Sequence, residues 1–343
     1  MSEPKKAVFF GELLMRLATR QYERFVAARE FEVCYTGAEA NAAVSVAHFG
    51  HEAYVVSVVP DSPIGDACIT FVRQFGVHTE FILRGGKRLG TFYLETGASQ
   101  RPSVVIYDRA GSSMAELQPG TVDWDKVFEG KQWFHWSGTA PALSDSMAAV
   151  TLEACQAARR HGLTVSCDLN YRRKLWPPEK ARAVMSNLMP YVDVLIGAGE
   201  DSATVLGVGV RDSDSNSSPP DADRYREVAA ELHRRFHFRY VATSLRQSFS
   251  ASENNWSCLL SDGKDCHLSR QYHILIVDRV GAGDAFSGSL IYALLSGMDP
   301  RQAVEFSAAA SCLKHTIRGD FNHVSKEEVL ALMSGPGTGR IQR

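Results

Sequence analysis

Short apolar runs at 7–10, 54–59, 133–136, 164–168, 192–196 and 240–243 alternate along this chain with longer stretches of helical period. Each run has the length of a strand buried on both faces, which reads as continuously apolar. Segments 37–50, 64–75, 144–160, 179–188 and 224–236 are long enough to cross from one strand to the next. In the first, Ala42, Val46 and Phe49 recur at i, i+4 and i+7 before Gly50 ends the pattern. Repeated strand–helix alternation predicts an α/β fold, a central mostly parallel sheet with helices on both faces. The 343 residues are taken as a single domain.

Two regions interrupt this rhythm. Residues 12–35 and 89–108 hold short segments of alternating character, at 31–35, 91–94 and 104–107, with no helix between them. They read as a few antiparallel strands forming a small β-strand lid, or as edge strands of the main sheet. Residues 211–223 are polar and rich in serine and proline, which predicts a flexible loop, and the tail 334–343 is similar.

Charge and cysteine usage exclude several classes of function. The 37 basic and 39 acidic side chains nearly cancel, leaving no general positive field for nucleic acid or an anionic membrane. Residues 1–6 are polar, so no secretory signal is read there, and no run of eighteen apolar residues suggests a membrane span. Seven cysteines occur singly, without a Cys-x-x-Cys pair, as in reduced cytoplasmic proteins. The Gly-Lys pairs at 86, 130 and 263 lack the Ser or Thr of a P-loop, and neither Gly-x-Gly-x-x-Gly after the first strand nor Gly-x-Ser-x-Gly occurs. His233 and His237 lack the intervening glutamate of a zinc protease and suit a solvated helix end.

One segment carries chemistry: Asp278-Arg-Val-Gly-Ala-Gly-Asp-Ala-Phe-Ser-Gly-Ser-Leu. Its glycines open onto a helical stripe of Phe286, Leu290, Ala293 and Leu294, so the turn leads into a helix N-terminus that favours an anion. The amides of Gly281, Ala282 and Gly283 suit charge building on a moving phosphoryl group, and Asp284 suits the proton of an attacking hydroxyl. The same four residues also fit a tight turn followed by a favourable first-turn acid. Spacing alone leaves both readings open.

This segment resembles the carboxy-terminal signature of the ribokinase/PfkB carbohydrate kinases. Thr36-Gly-Ala-Glu-Ala-Asn-Ala-Ala, with Gly50 beyond, is similar to the amino-terminal one. The resemblance implies a ribokinase-like fold, ATP and Mg²⁺ as cofactors, Asp284 as catalytic base, Gly281 to Gly283 around the transferred phosphoryl group, and Gly37 and Asn41 at the sugar. Gly37-Ala-Glu-Ala-Asn41, Trp136-Ser-Gly-Thr-Ala-Pro-Ala-Leu-Ser144, Asp168-Leu-Asn-Tyr-Arg-Arg-Lys-Leu-Trp176 and Arg318-Gly-Asp320 are similar to 2-keto-3-deoxygluconate kinases. That likeness implies a small sugar acid as partner, phosphorylated at carbon 6 and contacted by Tyr93, Tyr107, Arg109 and Arg172. Arg172 lies just past a strand end, where a planar guanidinium suits a carboxylate.

The chain departs from the family pattern in places. Arg279 replaces a small residue or proline, and Thr36 stands where glycine is common. Ala198-Gly-Glu-Asp201 lacks the asparagine that the resemblance links to magnesium, so no metal ligand is assigned from the sequence. Ser244-Leu-Arg-Gln replaces a glycine-rich nucleotide turn, with Arg246 the candidate for the nucleotide phosphates. Sibling activities on fructose, ribose or 5-keto-2-deoxygluconate, or a non-catalytic sugar-acid sensor, are the alternatives. Exposed lid edges predict a homo-oligomer.

Overall fold

Successive side chains of the first strand, β1 (Lys6–Phe10), enter different cores: Ala7 and Phe9 one, Val8 and Phe10 the other. Only a sheet covered by helices on both faces accommodates such a strand. The computed structural model describes residues 3–210 and 219–335 and contains that sheet. The remaining strands of the first half are β2 (Leu14–Ala18), β3 (Glu32–Thr36), β4 (Glu52–Val59), β5 (Ile82–Arg84), β6 (Gly90–Glu95) and β7 (Val104–Asp108). Then come β8 (Trp133–Ser137), β9 (Thr164–Asp168), β10 (Val194–Ile196), β11 (Tyr240–Ser250), β12 (Glu253–Ser261), β13 (Cys266–Leu268) and β14 (Tyr272–Leu275).

The large sheet runs β13-β12-β11-β10-β9-β8-β1-β4-β5, with β14 also pairing β12. Pairing from β5 through to β11 is parallel, and β12 joins β11 antiparallel. The chain leaves β1 towards β4 on one side and returns to β8 on the other. The strand order therefore reverses between β1 and β8, the kind of crevice where open α/β sheets bind ligands.

Helices α1 (Ala38–His48) and α2 (Pro63–Arg73) cover one face. Helices α3 (Trp124–Phe128), α4 (Thr139–Ala142), α5 (Asp145–Arg160), α6 (Pro178–Leu188), α7 (Glu200–Val205) and α8 (Ala222–Phe236) belong to the other. Helices α9 (Ala282–Leu295), α10 (Pro300–Lys314) and α11 (Lys326–Ser334) return to the face of α1. The predicted apolar stripe of α9 is in fact part of an almost wholly buried helix, because α1, α10 and the sheet enclose it.

The two irregular regions form a separate four-stranded sheet, β3-β2-β6-β7. It is mixed rather than antiparallel: β2–β3 and β6–β7 run antiparallel, but β2 and β6 are parallel. Period-two patterning identifies a strand without giving its neighbour, and β2 and β6 are separated by β3, α1, β4, α2 and β5, so no hairpin dictates their direction. The strand predicted at 240–243 continues to Ser250 and turns back as β12, a long hairpin beside the cleft. Of the predicted loop 211–223, residues 211–218 lie outside the described residues, and α8 already begins at Ala222, capped by Asp221. Of the tail, Ser334 ends α11 and residues 336–343 lie outside.

At Gly288 the backbones of α9 and α1 pack directly together. A Cβ there would collide with the carbonyl oxygen of Ala42 and meet the Cβ of Ser45 at 2.9 Å. In an exposed helix, Gly→Ala stabilises by about 1 kcal/mol. Here the clash with a helix backbone reverses the sign, so Gly288→Ala is expected to lower the midpoint of thermal unfolding, and a raised midpoint would contradict this packing.

Candidate active site

Beyond the carboxyl ends of β1, β8, β9 and β10, and beside the middle of β11, lies a cavity of about 680 Å³. The strands deliver Glu12, Thr139, Asp168, Asn170, Gly197 and Thr243 to its wall, and the small sheet contributes Leu14, Phe92 and Tyr107. Gly37 and Ala38 at the start of α1, and Gly281, Ala282 and Gly283 at the start of α9, also line it. Two helix N-termini, with their unpaired amides, thus open on one space.

Gly281 caps α9 with φ 81°, in the left-handed region, and a Cβ there would strike the carbonyl oxygen of Asp320. The turn is therefore specified twice over as glycine. Asp284 follows in the first helical turn, half-buried in the cavity wall. Burial raises its carboxyl to about 6, and nearby Asp320 pushes the same way. The Asn41 amide, which donates to Asp284 Oδ2 at 2.6 Å, opposes that rise, as do the charges of Arg172 and Lys314.

Other acids crowd the same wall. Asp168 is raised to about 7 by burial and by the charges of Asp284 and Asp201, and Ser287 Oγ donates to it at 3.0 Å. Glu39 is raised to about 7 by burial, despite accepting from the Ser137 amide at 3.0 Å, where it plugs the crevice between β1 and β8. Burial also raises Asp201, which receives the Tyr171 amide at 3.0 Å. A cleft that holds several carboxylates above their ordinary range suits proton transfer near neutrality.

The residues singled out in the sequence divide into those that line the cavity and one that does not. Asp284, Gly37, Asn41, Tyr107, Arg109, Arg172, Arg246 and the 281–283 turn all line the cavity. Arg109 is nevertheless engaged: its Nε donates to Glu12 at 2.6 Å, and Ser112 hydrogen-bonds the same carboxylate. Arg172, by contrast, is exposed in the cavity and makes no ion pair among the described residues, its Nη1 meeting only the Tyr171 carbonyl at 3.2 Å. Tyr93 does not line the cavity. It points to the opposite face of the small sheet, its ring 6.0 Å from Phe31, and its neighbour Phe92 takes the inner position. Strand alternation makes that a one-residue difference.

Several lining residues were not singled out. Glu12 directly follows the Gly11 that ends the first apolar run, and acids just past strand ends were the available signal. Asp168 sat within a quoted motif, but its partners Ser287 and Asp284 lie over a hundred residues away. Asn254, fully buried, and Arg279 border the cleft from β12 and from the approach to α9. Among the described residues no group of three or more His, Cys, Asp or Glu is placed to hold a metal, and no helix is long and apolar enough to cross a membrane.

Comparison with known proteins agrees with this geometry. Residues 4–325 match the model of the pfkB family carbohydrate kinases. A 2-dehydro-3-deoxygalactonokinase of Haloferax volcanii is 34% identical over 97% of this chain and 98% of its own. A 2-dehydro-3-deoxygluconokinase of Thermoproteus tenax is 29% identical over 93% of this chain and 92% of its own. Among solved structures, a 2-dehydro-3-deoxygluconokinase of Thermotoga maritima superposes with a TM-score of 0.93 at 46% identity, covering 96% of this chain and all of that one. With the signature glycines and Asp284 gathered at one cavity and the match spanning nearly the whole sequence, the chain belongs to the pfkB family of carbohydrate kinases.

Proposed function

We propose that this kinase transfers the γ-phosphoryl group of ATP to the terminal hydroxyl of a 2-keto-3-deoxy sugar acid, giving the 6-phosphate. One observation carries the choice of an acid: Arg172 lines the same cavity as Asp284 and makes no ion pair among the described residues, whereas Arg109 is already paired with Glu12. A guanidinium with no carboxylate in ion-pair contact favours a substrate that brings one. The relatives' names offer two epimers. The gluconate-derived acid is placed first because the Thermotoga maritima protein is the more similar in sequence, and the galactonate-derived acid second.

In this reading Asp284 accepts the proton as the hydroxyl oxygen bonds to the γ-phosphorus. The bond from phosphorus to the bridging oxygen breaks, and ADP departs. The amides of residues 281–283 stabilise charge on the phosphoryl oxygens, and Arg246 of β11, which lines the same cavity, would meet the nucleotide phosphates. Mg²⁺ carried on the triphosphate would neutralise part of its charge. Glu200 and Asp201 offer carboxylates at the cavity wall, which fits an ion held chiefly by phosphate and water. The small sheet supplies Phe92 and Tyr107 as a cover that excludes water. Its outer face leaves Val33 54% and Ile106 50% exposed, an apolar surface that supports the expected homo-oligomer.

Asp284→Asn is expected to cut kcat by about 100-fold or more while leaving the dissociation constant for the acid little changed. Near-normal turnover would remove the base assignment. Because the base works only when ionised, kcat is expected to fall as pH drops through about 6, an acid limb that the Asn variant lacks. Arg172→Ala is expected to raise KM for keto-deoxy acids and spare any residual activity on fructose or ribose. Equal losses on acidic and neutral sugars would contradict an acid substrate, and ATP consumption with both epimers would rank them.

A further inference from the structure

Arg16 belongs to β2 of the small sheet, yet its guanidinium is buried against two carboxylates from the far end of the chain. Nη2 donates to Asp278 Oδ2 at 2.9 Å, and Nη1 donates to Asp320 Oδ1. Asp278 in turn receives the amides of Val280 and Gly319, so it shapes the approach to the glycine turn. From Asp320 a line of single contacts runs to Asp284. Asp320 Oδ2 is 2.7 Å from Thr36 Oγ1, which is 2.8 Å from Asn41 Oδ1, and Asn41 Nδ2 donates to Asp284 Oδ2 at 2.6 Å.

Thr36 has one hydroxyl proton and two acceptors before it. Given to Asn41, the proton holds the carboxamide with its NH₂ towards Asp284, which favours the ionised base. Given to Asp320, it leaves lone pairs facing Asn41. The carboxamide then gains by turning over, and its oxygen faces Asp284, which favours a protonated acid. Arg16 bears on that choice: forked between Asp278 and Asp320, it partly neutralises Asp320 and so weakens its pull on the Thr36 proton.

We propose that Arg16, acting through Asp320 and Thr36, orients Asn41 and so keeps Asp284 ready to accept a proton. Arg16 and Thr36 are positioning residues, and the inference rests on Asp284 being the base. It ties the base to the docking of the small sheet, because Arg16 reaches Asp320 only while β2 is seated. The charged groups that face Asp284 from other elements are Glu39 of α1, Asp168 at the end of β9, Arg172 beyond it, Lys314 of α10 and Asp320. All five remain in the variants below.

The test is the pH dependence of kcat. Thr36→Val deletes the hydroxyl proton at nearly constant shape. It is expected to move the acid limb up by about one pH unit, equivalent to a tenfold loss of ionised base at acidic pH. Thr36→Ser is expected to restore the limb, Arg16→Met to shift it, and Arg16→Lys to shift it less. In an Asn41→Ala background Thr36→Val is expected to add nothing. If Arg16→Met does not fold, the Thr36 pair carries the test alone. An unmoved limb in Thr36→Val beside an inactive Asp284→Asn overturns the relay and leaves the base in place. An active Asp284→Asn overturns the base itself.

Discussion

The site depends on a carboxylate partly withdrawn from water at the amino end of a helix. Burial opposes the charge of Asp284, and the acids around it oppose it further, so the group settles near 6 instead of its ordinary value near 4. The neighbourhood limits that rise without abolishing it. Asn41 donates to the carboxylate, while Arg172 and Lys314 add positive charge. Lys314 is itself fully buried, its ammonium held by the carbonyls of Asp278 and Ile317 beneath the turn, and burial lowers its pKa. In the proposed reaction such a group is charged at neutral pH yet basic enough to take a proton from an alcohol as the oxygen attacks phosphorus.

Much of the fold was legible because both periodicities were strong. The runs at 133–136 and 164–168 became β8 and β9 with boundaries moved by no more than one residue, and 144–160 became α5. Such strands are apolar on both sides, and nothing but a doubly covered sheet satisfies them. Direction was less legible. The parallel pairing of β2 with β6 is set by where the main sheet delivers the two strands, which no local pattern records. The length of β11 was also hidden, because beyond Thr243 it carries polar residues that face the cleft or solvent.

The lining of the candidate site was legible where a residue sits on the glycine turn or directly past a strand end, as with Asp284 and Arg172. It was illegible where function depends on pairing across the chain. Nothing near Arg109 in sequence reveals that Glu12, 97 residues earlier, occupies its Nε. Nothing near Arg16 points to Asp278 and Asp320, brought together only by closure of the small sheet over the last helices. Tyr93 and Phe92 differ by one strand position, and the face that meets the cavity follows from the twist and docking of the whole small sheet. Side-chain type survives in sequence, whereas orientation is a property of the assembled fold.

A crystal structure of the complex with a non-hydrolysable ATP analogue and a 2-keto-3-deoxy acid tests the central claim most directly. The predicted result places the terminal hydroxyl about 3 Å from Asp284 and facing the γ-phosphorus, with the outer phosphate over residues 281–283 and the substrate carboxylate on Arg172. A hydroxyl held instead by Asp168 or Glu39, with Asp284 turned away from both ligands, would contradict it.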